Sequence, residues 1–167
     1  MFRDIYSNFK YFDAFAADVT SDAQGDENGN TIDLQGYDAA VVAMNAASFA
    51  SDGAMGAADV VYFILQHGLA SADGVSAWSN VPNSLLIHSV YGGYGSTGET
   101  GKFASLASTT DVTANSGMFF VGYKGDTLHR YLRVVVRNSD AASAMWLAGI
   151  AFLGMPGEWP VNDPVQA

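Results

Sequence analysis

Apolar and polar residues alternate most plainly in Tyr131-Leu132-Arg133-Val134-Val135-Val136-Arg137. Leu132, Val134 and Val136 fall on one side of an extended chain, and Tyr131, Arg133, Val135 and Arg137 on the other, because successive strand side chains point to opposite faces. The pattern predicts a strand over His129–Arg137. Met118–Lys124 precedes it across Gly125-Asp126-Thr127, and Ala144–Leu153 follows across Asn138-Ser139-Asp140. Turn residues between three strands predict a meander. Within its last strand, Trp146 to Leu153 is apolar on both faces.

Upstream, the same reading gives strands over Thr31–Leu34, Ala39–Met44, Asp59–Gln66, Leu85–Tyr91 and, more weakly, Lys102–Ser108. Asp18–Asn30 is acidic and turn-rich and reads as a loop, as do Ala70–Ser84 and the glycine-rich Gly92–Gly101. Phe2, Ile5, Phe9, Phe12 and Ala16 recur at near-helical spacing with Tyr6 beside them, which predicts a short amphipathic helix or an ordered aromatic arm. Pro156 to Pro164 should run extended over the surface, because proline neither donates to a ladder nor continues a helix. About eight short strands with no convincing internal helix predict an all-β fold. The expected architecture is an antiparallel β-sandwich, a jelly roll over residues 31–155 within a single domain.

Composition changes this picture in two ways. Of the 167 residues, 49% are hydrophobic and only 14% charged, against roughly 25% charged in an average soluble domain. So small a charged share fits either an ordinary domain rich in Ala, Gly and Ser or a subunit that covers part of its surface with copies of itself or with a partner. The net charge of -10 argues against nucleic acid, whose phosphates reward Lys and Arg, and against anionic membranes. Cysteine is absent, so disulfides and thiolate metal sites are excluded. The N-terminus carries acids and aromatics where a signal peptide needs a plain apolar run, and no segment reaches the ~18 apolar residues of a membrane span. A soluble, unexported chain is expected.

Catalytic and cofactor patterns fail on inspection. Gly93-Tyr94-Gly95-Ser96-Thr97-Gly98 has dinucleotide-loop spacing, but Glu99-Thr100-Gly101-Lys102 opens no helix to meet a pyrophosphate. A phosphate-binding loop would need glycine where Ser96 stands and Ser or Thr where Phe103 stands. No nucleophile elbow is present, and no frame of the acidic segment around Asp22, Asp26, Asn28 and Asn30 supplies a calcium-binding EF-hand loop. His67, His88 and His129 lie on separate strands and could converge on a metal, but such residues are more often rim or core histidines. No catalytic, cofactor or metal site is assigned. Trp78, Tyr91, Tyr94 and Trp159 keep a carbohydrate-binding or receptor-binding module open as the alternative.

Charge is unevenly placed. Lys124, Arg130, Arg133 and Arg137 are four of the seven bases, while acids such as Asp13, Asp18 and Asp33 gather in residues 1–40. The bases form either a solvated face paired with neighbouring acids or a basic contact patch. With the aromatic ends included, the candidate contact surface is Phe2, Tyr6, Phe9, Phe12, Arg130, Arg133, Arg137 and Trp159.

Two segments resemble small structural proteins of tailed bacteriophages. Thr31-Ile32-Asp33-Leu34-Gln35-Gly36-Tyr37-Asp38-Ala39 is similar to an opening pattern in that group. Gly122-Tyr123-Lys124-Gly125, Tyr131-Leu132-Arg133-Val134-Val135-Val136 and Leu153-Gly154-Met155-Pro156 are similar to its closing pattern. The resemblance is to head-associated decoration or cement proteins. It implies a non-enzymatic dimer or trimer seated on the major capsid protein lattice, on the exterior of a virion assembled in the host cytoplasm. The aromatic N-terminus and the Ala/Gly-rich stretch 46–58 depart from that pattern.

Overall fold

A computed structural model describes residues 10–19, 25–49, 60–71, 74–88, 100–106, 117–126, 128–138 and 145–156. Eleven strands occur there: β1 (Lys10–Val19), β2 (Gly25–Asn28), β3 (Ile32–Asp33), β4 (Tyr37–Phe49), β5 (Val61–Ser71), β6 (Gly74–Asn80), β7 (Leu86–His88), β8 (Lys102–Leu106), β9 (Met118–Tyr123), β10 (His129–Asn138) and β11 (Met145–Pro156). One 3-10 turn, Asn83–Leu85, leads into β7. Among the described residues no helix is long and apolar enough to cross a membrane.

The strands form two antiparallel sheets packed face to face, an all-β sandwich as expected. One sheet has the order β1-β11-β4-β9-β7. The other has the order β2-β10-β5-β6, with β3 also on β10 and β8 also on β5. Each flank of the second sheet is thus built from two short strands end to end. Tyr131 and Leu132 of β10 pair with β3, and Val135 to Asn138 pair with β2. Short flanking strands limit the unpaired backbone offered to other chains.

The core lies where the inner faces meet. Leu132, Val134 and Val136 point into it from β10, as their alternation predicts, and Phe63 and Leu65 from β5. Val42, Met44, Phe119, Val121, Ala151 and Leu153 answer from the five-stranded sheet. The Phe63 ring meets Phe119 edge-on at 5.6 Å and lies tilted against Phe103 at 5.9 Å. The contact with Phe119 ties the two sheets together, while Phe103 belongs to β8 of the same sheet as Phe63.

Three expectations are corrected. The helical spacing of the aromatic N-terminus does not make a helix over residues 10–19, which form β1 and pair with β11 from Lys10↔Leu153 to Val19↔Trp146. Register shifts between Asp13 and Phe15 and between Phe15 and Asp18 bury Ala14 and Phe15 in succession, which blurs a period of two. Residues 1–9, with Phe2, Tyr6 and Phe9, lie outside the described residues, as do Trp159 and the tail beyond Pro156. Second, the segments read as loops at 18–30 and 70–84 contain β2 and β6, which raises the strand count above eight. Third, the final three strands are not a meander. β9 and β11 flank β4 in one sheet, while β10 lies in the other. The chain crosses the sandwich at Gly125-Asp126, and that crossing sets the position of Asp126.

Candidate functional site

The two outer faces of the sandwich differ in chemistry. On the six-stranded sheet, every arginine of β10 is engaged. Arg130 donates from Nε and Nη2 to Asp33 at 2.8 and 2.6 Å. Arg137 grips Asp26 in the same two-point fashion at 2.6 and 2.9 Å. Arg133 donates to Gln66 Oε1 at 2.9 and 2.7 Å and lies over the Trp78 ring at 4.4 Å. Trp78 in turn lies against Gly68, where a Cβ would strike Val75 and crowd the indole. The paired-face reading of these bases therefore fits better than a bare basic patch. Phe12, the remaining described member of the expected contact surface, packs against the core instead.

The Arg137 hydrogen bond holds the Asp26 carboxyl below its ordinary value of 3.8, against the opposing effect of burial. For Asp33, burial pushes upward, but the Arg130 hydrogen bond and the Gln35 backbone N–H prevail and lower it. A carboxyl lowered in the folded state stabilises the protein above its ordinary pKa, and that stability is lost as the pH falls through the folded value. Asp26→Asn is accordingly expected to cost at most about 1 kcal/mol at neutral pH, because the pair is solvent-screened. Urea unfolding in acid should show the deficit gone.

The outer face of the five-stranded sheet is apolar. Its register aligns Tyr11 with Phe152, Phe152 with Val41, Val41 with Gly122, and Gly122 with Ile87, a row that crosses all five strands. Tyr11 is 71%, Phe152 45%, Val41 46% and Ile87 54% exposed. A second row runs Asp13, Ile150, Ala43, Phe120; Phe120 is exposed and Ala43 is buried. Trp146 adds a further exposed ring. Asp13, at the β1 edge, is the one charge in these two rows. At about 4.8 Å between neighbouring strands, five strands give a face roughly 20 Å across. Single exposed apolar residues are ordinary, whereas a contiguous sheet face of them marks a contact surface. The sequence pointed here only through the two-sided apolarity of β11. What it left open was which strands would align.

At the crossing from β9 to β10 a polar cluster closes one end of the sandwich. Asp126 Oδ1 accepts the backbone N–H groups of Leu128 and His129 at 2.9 and 2.7 Å, as turn chemistry predicts. Its Oδ2 lies 2.7 Å from His129 Nδ1 and 3.6 Å from His67 Nδ1. The two imidazoles stack at 3.5 Å with planes 11° apart. His67, only 3% exposed, also places Nδ1 3.4 Å from the buried Tyr123 hydroxyl. Burial holds His67 below the ordinary imidazole range, the neighbouring His129 adds to this, and Asp126 opposes it. Burial, with the charge of Asp126, raises the Tyr123 phenol far above its ordinary value. The Asp126 carboxyl is pushed up by burial but ends lowered, through the hydrogen bonds from His129 and Leu128.

Two of the three histidines considered as ligands thus meet, and the third, His88, lies on β7 in the opposite sheet. Asp126 was legible only as a turn residue, because a turn does not reveal which strands it connects across the core. Compared with known families and curated proteins, the chain matches no family model and no curated sequence.

Proposed function

We propose that this chain is a non-enzymatic structural protein that docks through the apolar face of its five-stranded sheet. The reading that fits best is a virion protein of the capsid-decoration type, bound as a dimer or trimer to the major capsid protein lattice on the outside of a phage head. The observation that carries it is the Tyr11–Phe152–Val41–Gly122–Ile87 row, which spans the sheet from edge to edge. A protein that reinforces a shell needs a rigid body with apolar area left over for neighbours. Alternation of consecutive strands between the two sheets, as in β9, β10 and β11, supports the jelly-roll connectivity expected for such a body. The carbohydrate alternative gains nothing from Trp78, whose ring is engaged by Arg133.

The test is binding of the purified chain to phage shells that lack it, with Val41→Asp/Phe152→Asp as the variant. These side chains are half exposed, so the double variant should fold with its thermal midpoint little changed. Shell binding should fall by at least tenfold, because each aspartate places an unpaired charge in the contact. Wild-type protein that does not bind shells, or a variant that binds equally well, would overturn the proposal.

A further inference from the structure

We propose that His67, Asp126 and His129 form a binding site for a first-row divalent cation of the Zn2+ class. The proposal stands on donor geometry at the β9–β10 crossing and is independent of what the apolar face contacts.

One ligand atom from each of the three residues lies within 4.8 Å of the others. Tetrahedral Zn2+, with bonds of about 2.0–2.2 Å to nitrogen and oxygen, sets its ligand atoms roughly 3.3 Å apart. Asp126 Oδ2 stands 2.7 and 3.6 Å from the two Nδ1 atoms, so each separation needs to change by less than about 1 Å. The carboxylate is already aimed. Its Oδ1 is occupied by the two backbone N–H groups of Leu128 and His129, which leaves Oδ2 facing the imidazoles. Outer hydrogen bonds of this kind fix the orientation of a metal ligand.

Two imidazole nitrogens and one carboxylate oxygen suit Zn2+, Co2+ or Ni2+. Ca2+ and Mg2+ prefer six or more oxygens or their own water. The stack imposes one condition. Lone pairs of parallel rings lie in parallel planes and do not converge, so one ring must turn when the ion binds. His129, at the first position of β10 and partly exposed, is placed to turn, whereas His67 is enclosed. Water completes the coordination.

The experiment is thermal unfolding of the full chain after chelator treatment, with Zn2+, Co2+, Ca2+ or Mg2+ added back. Zn2+ at a hundredfold excess over its Kd should raise the midpoint by roughly 5–10 °C. Ca2+ and Mg2+ should leave it unchanged, and Co2+ should produce the visible absorption of a low-symmetry nitrogen and oxygen site. His129→Ala and Asp126→Asn, both at partly exposed positions, should abolish the response, while Asp26→Asn should keep it. No Zn2+ shift in the wild type would overturn the proposal. So would a shift that persists in His129→Ala, since that would place the ion elsewhere.

Discussion

Phe63→Ala is expected to lower the unfolding free energy by about 3–5 kcal/mol, the range for removing a buried aromatic ring. Phe63 is fully buried on β5. Its neighbours along the sheet are Val136 of β10 and Ala104 of β8. Across the core it meets Phe119 of the opposite sheet edge-on at 5.6 Å. Truncation therefore removes apolar burial, two aromatic contacts and a tie between the sheets together. The β-strands around it are held by ladder hydrogen bonds and collapse poorly into the space left behind, which favours the upper part of the range. Since whole domains hold only about 5–15 kcal/mol, the variant should unfold at a markedly lower urea midpoint. Phe63→Leu, which retains most of the volume, should recover much of the loss. A cost below about 1 kcal/mol for the alanine variant would contradict this account of the core.

Gly125→Ala is expected to cost about 3 kcal/mol, against about 1–2 kcal/mol for Gly36→Ala, where only backbone strain applies. The two glycines have nearly the same left-handed backbone, with φ of +79° at Gly125 and +86° at Gly36. Their surroundings differ. A Cβ on Gly36 meets nothing within 4 Å, whereas on Gly125 it would collide with the Asp38 carbonyl oxygen. That collision involves backbone, which cannot swing aside as a flexible side chain would. Gly125 is also the residue at which the chain leaves one sheet for the other, so relief of the clash would shift Asp126. Paired urea titrations give the comparison directly. Equal losses at the two sites would show that close approach contributes nothing.

These glycines and Phe63 illustrate what the residue order could reveal. The alternation in β10 and the two-sided apolarity of β5 are properties of single strands, so both strands were legible. β1 was not, because two register shifts break its alternation between Asp13 and Asp18, and Phe9, Phe12 and Ala16 fall in the sequence at a spacing that imitates a helix. β2 was hidden for another reason. Gly25-Asp26-Glu27-Asn28 buries no apolar residue, and it is held by backbone pairing and by Arg137. β6 is similar, a flanking strand with Ala77 at φ 47° where its register against β5 slips.

The candidate surfaces were less visible still. Gly125-Asp126 predicts a reversal of the chain equally well for strands that hydrogen-bond and for strands that face each other across the core. Only the second arrangement brings His67, more than fifty residues away, to Asp126. Likewise, Tyr11, Val41, Ile87 and Phe152 become a row through register alone.

The pairing of β1 with β11 has a mechanical consequence. The two strands run antiparallel with Lys10 beside Leu153 and Val19 beside Trp146. Chain entering at Lys10 and chain leaving past Leu153 therefore meet this ladder at the same end. Tension drawn through those two points would peel its hydrogen bonds apart one after another, as a zipper opens, instead of loading them in parallel. A sandwich joined this way resists little when tugged by its ends. Stress delivered broadside to the sheet is spread over five strands at once.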